Sequence, residues 1–231
     1  MILDRNMDAV GDWWFEDRRK SVSPTSRAAL IELIKMCQSV AEILEDYRLL
    51  RPSKVIFSGW LCSESNQETL YRVEDPDITV EIPRHLNARF LLNCCEKVLP
   101  QLERDYSFLY PIDLEILGTG IIIDADGQEK ELPNVTWLLG KTLDAHIVDV
   151  LTQSDAWLPY TFLAEPQPEV WKCNAPRLEA ALKEIQKRLE IIPVTDSHSE
   201  YAIIENLQLR NHVDADGEII PVYNQMASRL R

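Results

Sequence analysis

The sequence predicts one α+β domain spanning residues 1–231, in which about three main helices pack on one or two largely antiparallel sheets built from hairpins. Three stretches repeat apolar residues with the period of a helix. Strand-like runs lie between them, and short turns are expected at residues 74–76, 124–127 and 214–217. Short turns join antiparallel neighbours, whereas parallel strands need long crossover connections.

Residues 24–50 carry the clearest helical pattern. Apolar residues recur at helical spacing from Leu30 to Tyr47, and Pro52 follows as a stop signal. Residues 85–99 form the second predicted helix, which also has its apolar residues on one side and ends at a proline.

The third predicted helix covers residues 174–190. We expect Asn174 to cap its N-terminus and Pro176 to lie in its first turn, where the missing N–H has no hydrogen bond to lose. Leucines and an isoleucine continue the apolar stripe to the end of this stretch.

The predicted strands are rich in β-branched and aromatic residues. Residues 54–61 form a strand, and the short runs 68–73 and 77–82 are expected to pair as a hairpin, so that all three make a meander. Residues 114–123 form a further strand. Residues 143–152 contain too many consecutive apolar residues to separate a buried strand from a short helix by periodicity, and we favour a strand.

Residues 153–173 form an irregular connection and the candidate sub-boundary within the domain. This stretch is rich in both prolines and aromatic residues. The aromatic residues predict that the connection is held against the body of the fold and is not a free linker.

The charge balance restricts the kind of partner. The chain has 38 acidic and 24 basic residues and a formal net charge of −14. Phosphate backbones and anionic lipids repel such a chain, so neither nucleic acid nor a membrane surface is an expected partner. A basic protein is the partner that this charge favours, and the alternative is that the charge serves solubility alone, as in many acidic soluble proteins.

The cysteines and glycines bear on location and cofactors. The chain has five cysteines, an odd number without C-x-x-C spacing, which predicts five free thiols and a reducing cytoplasm. The opening residues lack the apolar run of a signal peptide. The pair Gly118 and Gly120 lacks the third glycine of a dinucleotide-binding loop, and we expect no cofactor.

A metal site is the sharpest catalytic alternative. If residues 212–216 formed a strand, His212, Asp214 and Asp216 would lie on one face, with Glu218 or His146 completing the ligands. A metal-dependent hydrolase is therefore the alternative function.

The sequence also argues against that metal site. The tetrapeptide Asp-Ala-Asp-Gly occurs at residues 124–127 as well as at residues 214–217, and Ile122 stands in the first copy where His212 stands in the second. Asp-Gly favours a hairpin turn, because glycine accepts a positive φ without steric cost. We predict that both copies are turns between paired strands, and we favour this interpretation over a metal site.

Aromatic residues give the remaining candidate site. Large aromatics at a surface often anchor a protein interface, although tryptophans also commonly close the ends of a core. The candidates for partner binding are Trp13, Trp14, Phe15, Trp157, Tyr160 and Trp171.

The favoured function is a non-enzymatic, acidic interaction protein, for example of the immunity or inhibitor type, that neutralises a basic partner. The net charge and the absence of a catalytic motif support it. A third hypothesis is a module that binds a small molecule or peptide in an aromatic pocket lined by Trp157, Tyr160 and Trp171.

Overall fold

The computed structural model shows a large sheet of eight strands with helices packed on it, and a second sheet of two strands. The residues that the structure describes are 9–19, 27–61, 71–72, 78–82, 86, 89–93, 109–142, 144–195 and 199–222.

The described residues form ten strands and three helices, together with one turn of 3₁₀-helix at Asp155–Trp157. The helices are α1 (Arg27–Asp46), α2, of which residues 89–93 are described, and α3 (Pro168–Leu189). The strands are β1 (Gly11–Asp17), β2 (Arg51–Leu61), β3 (Tyr71–Arg72), β4 (Ile78–Glu81), β5 (Leu109–Ile123), β6 (Glu129–Pro133), β7 (Thr136–Thr142), β8 (His146–Thr152), β9 (Ile203–Glu205) and β10 (Gln208–Arg210).

Eight strands form the large sheet in the order β1-β8-β7-β5-β2-β3, with β4 paired to β2 and β6 paired to β5. The strands β9 and β10 form the small sheet. Every described strand pair is antiparallel, so the predicted α+β class with largely antiparallel sheets is confirmed. The strand favoured for residues 143–152 is also confirmed as β8.

The predicted meander of three strands is wrong. The strands β3 and β4 do not pair with each other; β3 pairs with Trp60 and Leu61, and β4 pairs with residues 54–57 of the same strand. Because β2 is 11 residues long, both short runs find partners along it. The residues between β3 and β4 lie outside the described ranges.

One face of the large sheet carries the main core. Side chains alternate along β1, where Trp13 and Phe15 are fully buried and their neighbours are less so. The helix α1 packs on β7 and β8 at this face. Gly140 permits the close approach of α1 to β7, because a Cβ at position 140 would collide with Sγ of Cys37.

The irregular connection contributes to the same core. Trp157, Leu158 and Phe162 are buried in the apolar cluster that also contains residues of β1 and α1. This packing agrees with the expectation that the connection is held against the fold.

The free-thiol prediction is confirmed for Cys37 and Cys173, which form no disulfide. Burial raises the pKa of the Cys37 thiol to about 12, so this residue acts as a small apolar side chain. Cys62, Cys94 and Cys95 lie outside the described residues, as do the remaining residues of the predicted second helix. No helix in the described part of the chain is both long and apolar enough to cross a membrane.

The third helix begins six residues before its predicted start. Pro168 opens α3 at a position where a helix needs no N–H donor. Asn174 is therefore not the N-cap but a fully buried interior residue, and Pro176 lies inside the helix. The prediction was wrong because Asn174 resembles a cap in sequence but bonds to a distant strand.

Asn174 joins α3 to the end of β5. Its Nδ2 donates to the Ile123 carbonyl oxygen at 2.7 Å, and the Ile123 N–H donates to its Oδ1 at 3.0 Å. One side chain thus satisfies both backbone groups of a strand residue that faces the helix. We expect α3 to depend on this contact for its position.

Arg177, one turn further along α3, bonds to three backbone carbonyls. Its guanidinium donates to the oxygens of Ile121 at 2.9 Å, Tyr47 at 2.8 Å and Arg48 at 3.2 Å. Tyr47 and Arg48 directly follow α1, where helix carbonyls lack partners within the helix. Arg177 and Asn174 together therefore tie α3 to β5 and to the C-terminal end of α1, and we call these two residues the α3 clamp.

A buried carboxylate, paired with a half-buried lysine, lies on the opposite face of the sheet. Lys141 Nζ is 2.8 Å from Asp149 Oδ2, and the side chain of Asp149 is only 3% exposed. Asp149 Oδ1 accepts no hydrogen bond from any described residue. Burial raises the pKa of Asp149, although the ammonium of Lys141 opposes this shift.

We expect Asn174→Ala to lower the free energy of unfolding by about 2–4 kcal/mol, because both backbone groups of Ile123 lose their buried partner. Urea denaturation measures the loss. The matched control is Cys173→Ala, which removes an exposed neighbour on the same helix and should stay within about 0.5 kcal/mol of wild type. Equal stability of both variants would show that the clamp does not hold α3.

We expect Asp149 to make the free energy of unfolding depend on pH. Since its pKa is raised above the unfolded value of 3.8, the folded state holds this proton more tightly, and wild type should lose stability relative to Asp149→Asn as the pH rises from 3 to 7. Urea denaturation at several pH values measures the difference, with Asp126→Asn as the exposed control. A relative gain of wild type with rising pH would mean that Lys141 outweighs burial.

Candidate functional site

A cleft of about 590 Å³ lies between α3 and residues 207–219. Its volume falls in the range of about 300–1,000 Å³ that is typical of ligand sites. Most of its lining is apolar. The apolar lining residues are Trp157, Pro159, Trp171, Ala175, Pro176, Leu178, Leu207, Leu209, Val213 and Ile219.

Trp171 stands out among the tryptophans that the sequence offered. Its side chain is 37% exposed, and its indole Nε1 makes no hydrogen bond with any described residue. By contrast, Trp13 donates to the Asn206 carbonyl oxygen at 3.1 Å, and Trp157 donates to Thr152 Oγ1 at 2.6 Å. A large aromatic ring with an available N–H is typical of an interface anchor.

The predicted aromatic site is only partly assembled. Trp157 and Trp171 line the cleft, whereas Tyr160 is half-buried beside it and its place in the lining is taken by Pro159. Both backbone groups of Tyr160 are bonded to the side chain of Asn211, at 3.1 and 3.0 Å. Tyr160 therefore belongs to the support of the cleft.

Three other predicted aromatics lie on β1, away from the cleft. Trp13 and Phe15, which the sequence offered as partner-binding residues, are fully buried and present no side-chain surface to a partner in this structure. Strand alternation is the reason, because it turns both of them toward the core. Trp14 faces the other way, is half-buried, and donates from Nε1 to Asp12 Oδ2 at 2.5 Å.

The charged lining residues are already paired within the chain. Lys172 Nζ lies 3.0 Å from Glu169 Oε1, and Arg210 Nη2 lies 2.9 Å from Glu205 Oε2. Glu179 accepts hydrogen bonds from Lys183 and from Gln208. The apolar surface and the Trp171 side chain are therefore the parts of the cleft lining that a ligand can contact without displacing one of these pairs.

Both Asp-Ala-Asp-Gly segments form the same turn. The first aspartate, Asp124 or Asp214, accepts hydrogen bonds at its Oδ1 from the backbone N–H groups two and four residues later, at 2.9–3.0 Å. Gly127 has a φ of 75° and Gly217 a φ of 85°. The prediction of two turns is confirmed.

The details of the turns differ from the prediction in two respects. Only the glycine has a positive φ, which indicates a three-residue loop with a glycine bulge and not a two-residue Asp-Gly turn. Residues 121–123 pair with residues 129–131 as predicted. Around the second turn only Val213 and Ile219 form a bridge, because residues 208–210 pair with β9 instead.

The structure does not gather the metal ligands that the alternative function needs. His212 Nε2 lies 2.9 Å from the Ser199 carbonyl oxygen, and Oδ1 of Asp214 accepts a backbone hydrogen bond within the turn. In the described ranges, no three His, Cys, Asp or Glu side chains are placed to hold a metal ion. The turn geometry is the reason, because it replaces the strand alternation that would have aligned His212, Asp214 and Asp216.

His146, the other proposed metal ligand, lies elsewhere. It is buried on β8, where its Nδ1 is 3.1 Å from Thr142 Oγ1. It borders a smaller cleft of about 250 Å³. Asp17 in that cleft pairs with Arg19 at 2.8 Å, which lowers the pKa of its carboxyl group. This polar cleft offers less to a ligand because its charges are paired within the chain.

Acidic side chains border the large cleft. Asp214, Asp216 and Glu218 are exposed, and none forms an ion pair with a cation in the part of the chain that the structure describes. The bridge between Val213 and Ile219, which both line the cleft, holds this turn at the rim. We call residues 214–218 the acidic turn.

No protein-family model, curated protein or solved structure matches the chain. Sequence reasoning missed Leu207, Leu209, Val213 and Ile219, whose only signal was apolar residues in a segment otherwise rich in turns.

Proposed function

We propose that the protein is a non-enzymatic interaction protein of the immunity or inhibitor type, which binds and neutralises a basic partner protein. The observation that carries this proposal is the position of the acidic turn beside an apolar cleft that contains the exposed Trp171. An apolar centre with a charged rim is the usual arrangement of a protein interface.

Charge supports a basic partner. The chain has a formal net charge of −14, and the carboxylates of the acidic turn have no cationic partner among the described residues. Among the described residues, a partner cation therefore competes with no ion pair at Asp216 or Glu218. Nucleic acid and anionic lipid would be repelled by the same field.

We propose a reducing cytoplasm as the setting. The chain has five cysteines, an odd number, and the two described ones, Cys37 and Cys173, form no disulfide. The proposal needs no cofactor.

The test is the salt dependence of association. A partner identified by crosslinking in the native host is purified, and its on-rate is measured by stopped flow. We expect the on-rate to fall about tenfold or more between low salt and about 0.5 M salt, because added ions screen the attraction between the two charged surfaces. Failure to recover a partner in repeated crosslinking, or an on-rate independent of salt, would overturn the proposal.

The chain supplies a matched pair of charge variants for this measurement. Asp216→Asn and Asp126→Asn remove the same charge from the same position of two equivalent turns, but only the former turn lies at the cleft. We expect Asp216→Asn to slow association more than Asp126→Asn. Equal effects would mean that only the total charge matters and would remove the acidic turn from the interface.

A further inference from the structure

The cleft has room for more than one small group. At about 590 Å³ it is comparable with sites that enclose a drug-sized ligand, so a short stretch of polypeptide with a bulky side chain fits the space. Its apolar lining favours an aliphatic or aromatic side chain, because burial of apolar surface is the main gain available there.

Trp171 adds directionality to this apolar surface. Its ring lines the cleft, and its Nε1–H, which has no described partner, is available to donate to an oxygen of the bound chain. A peptide offers such an oxygen at every backbone carbonyl.

The acidic turn restricts the sequence next to the bulky side chain. Asp214 directly follows Val213 and Glu218 directly precedes Ile219, and both neighbours line the cleft. One extended residue spans about 3.3 Å, so a cation one or two positions from the buried side chain can reach these carboxylates.

We infer that the cleft binds a segment of the basic partner in which a bulky apolar side chain is flanked by lysine or arginine. This inference rests on the proposed function and deepens it by naming the bound segment. The apolar side chain enters the cleft, and the flanking cation pairs with the acidic turn.

The experiment uses a displayed library of random 12-residue peptides, selected for binding to the full chain. We expect the enriched peptides to share a bulky apolar residue with lysine or arginine one or two positions away. Trp171→Ala should weaken their binding about 30-fold, which corresponds to loss of an interface anchor. Leu163→Ala is the matched control, because Leu163 is 39% exposed and lies outside the cleft lining. The Leu163→Ala variant should bind the enriched peptides as tightly as wild type.

A second variant keeps the test valid if Trp171→Ala alters the fold. Ala175→Trp leaves Trp171 in place but fills the cleft, and it should also abolish binding. Thermal unfolding of both variants checks that α3 is intact. Labelling with 5-fluorotryptophan adds a direct readout, since the ¹⁹F signal that disappears in Trp171→Phe should shift when an enriched peptide is added to wild type.

The outcomes separate this inference from the proposed function. Enriched basic peptides that bind Trp171→Ala and Ala175→Trp as well as wild type would overturn the inference, while salt-dependent association with the host partner would still support the function. Enriched peptides that need Trp171 but carry no lysine or arginine would also overturn it, since the cleft would then select apolar ligands alone. A pool without any Trp171-dependent peptide would have the same consequence.

Discussion

The α3 clamp is the constraint on which the cleft depends. Asn174 and Arg177 form hydrogen bonds to backbone groups of β5 and of the residues that follow α1. These two polar side chains therefore fix the position of α3 relative to both elements. Apolar residues of the same helix, such as Leu182 and Ile185, then pack into the core. Hydrophobic burial alone is not directional, whereas these hydrogen bonds admit one register of α3 against β5.

Side-chain amides serve the same purpose throughout the irregular part of the molecule. Asn211 bonds to both backbone groups of Tyr160, and Gln167 donates to the carbonyl oxygens of Asp155 and Leu158. These segments have no strand ladder to satisfy their backbone groups, and buried groups without partners are costly. The amides thus satisfy the backbone where neither helix nor sheet extends, and two residues of these segments, Pro159 and Asn211, line the cleft.

Much of the fold could be predicted because its signals are local. The apolar period of α1 and the β-branched runs of β2 and β5 each identify their element without knowledge of the rest of the chain. The start of α3 was mispredicted because Asn174 can cap a helix or bond across a fold, and only the neighbouring strand decides between them. The pairing of β3 and β4 with β2 likewise depends on the length of a partner strand.

The candidate site was less predictable, because its parts are distant in sequence. Trp171 and Trp157 were identified as candidates, but nothing local distinguishes the exposed Trp171 from the buried Trp13. Leu209 and Val213 reach the cleft only because α3 and the small sheet pack side by side. The repeated Asp-Ala-Asp-Gly was readable as a turn from its residues, yet its position beside the cleft follows only from the tertiary structure.

Amide hydrogen exchange at Ile123 tests the central claim, that the clamp holds α3 firmly enough to keep the cleft preformed. The Ile123 N–H donates to Asn174 Oδ1, so its exchange with solvent reports the opening of this contact between α3 and β5. The account predicts that this amide exchanges with the same free energy as the hydrogen-bonded amides between β7 and β8, through global unfolding. Exchange at a markedly lower free energy would show that this contact opens while the sheet stays folded, which contradicts a clamp that keeps the cleft preformed.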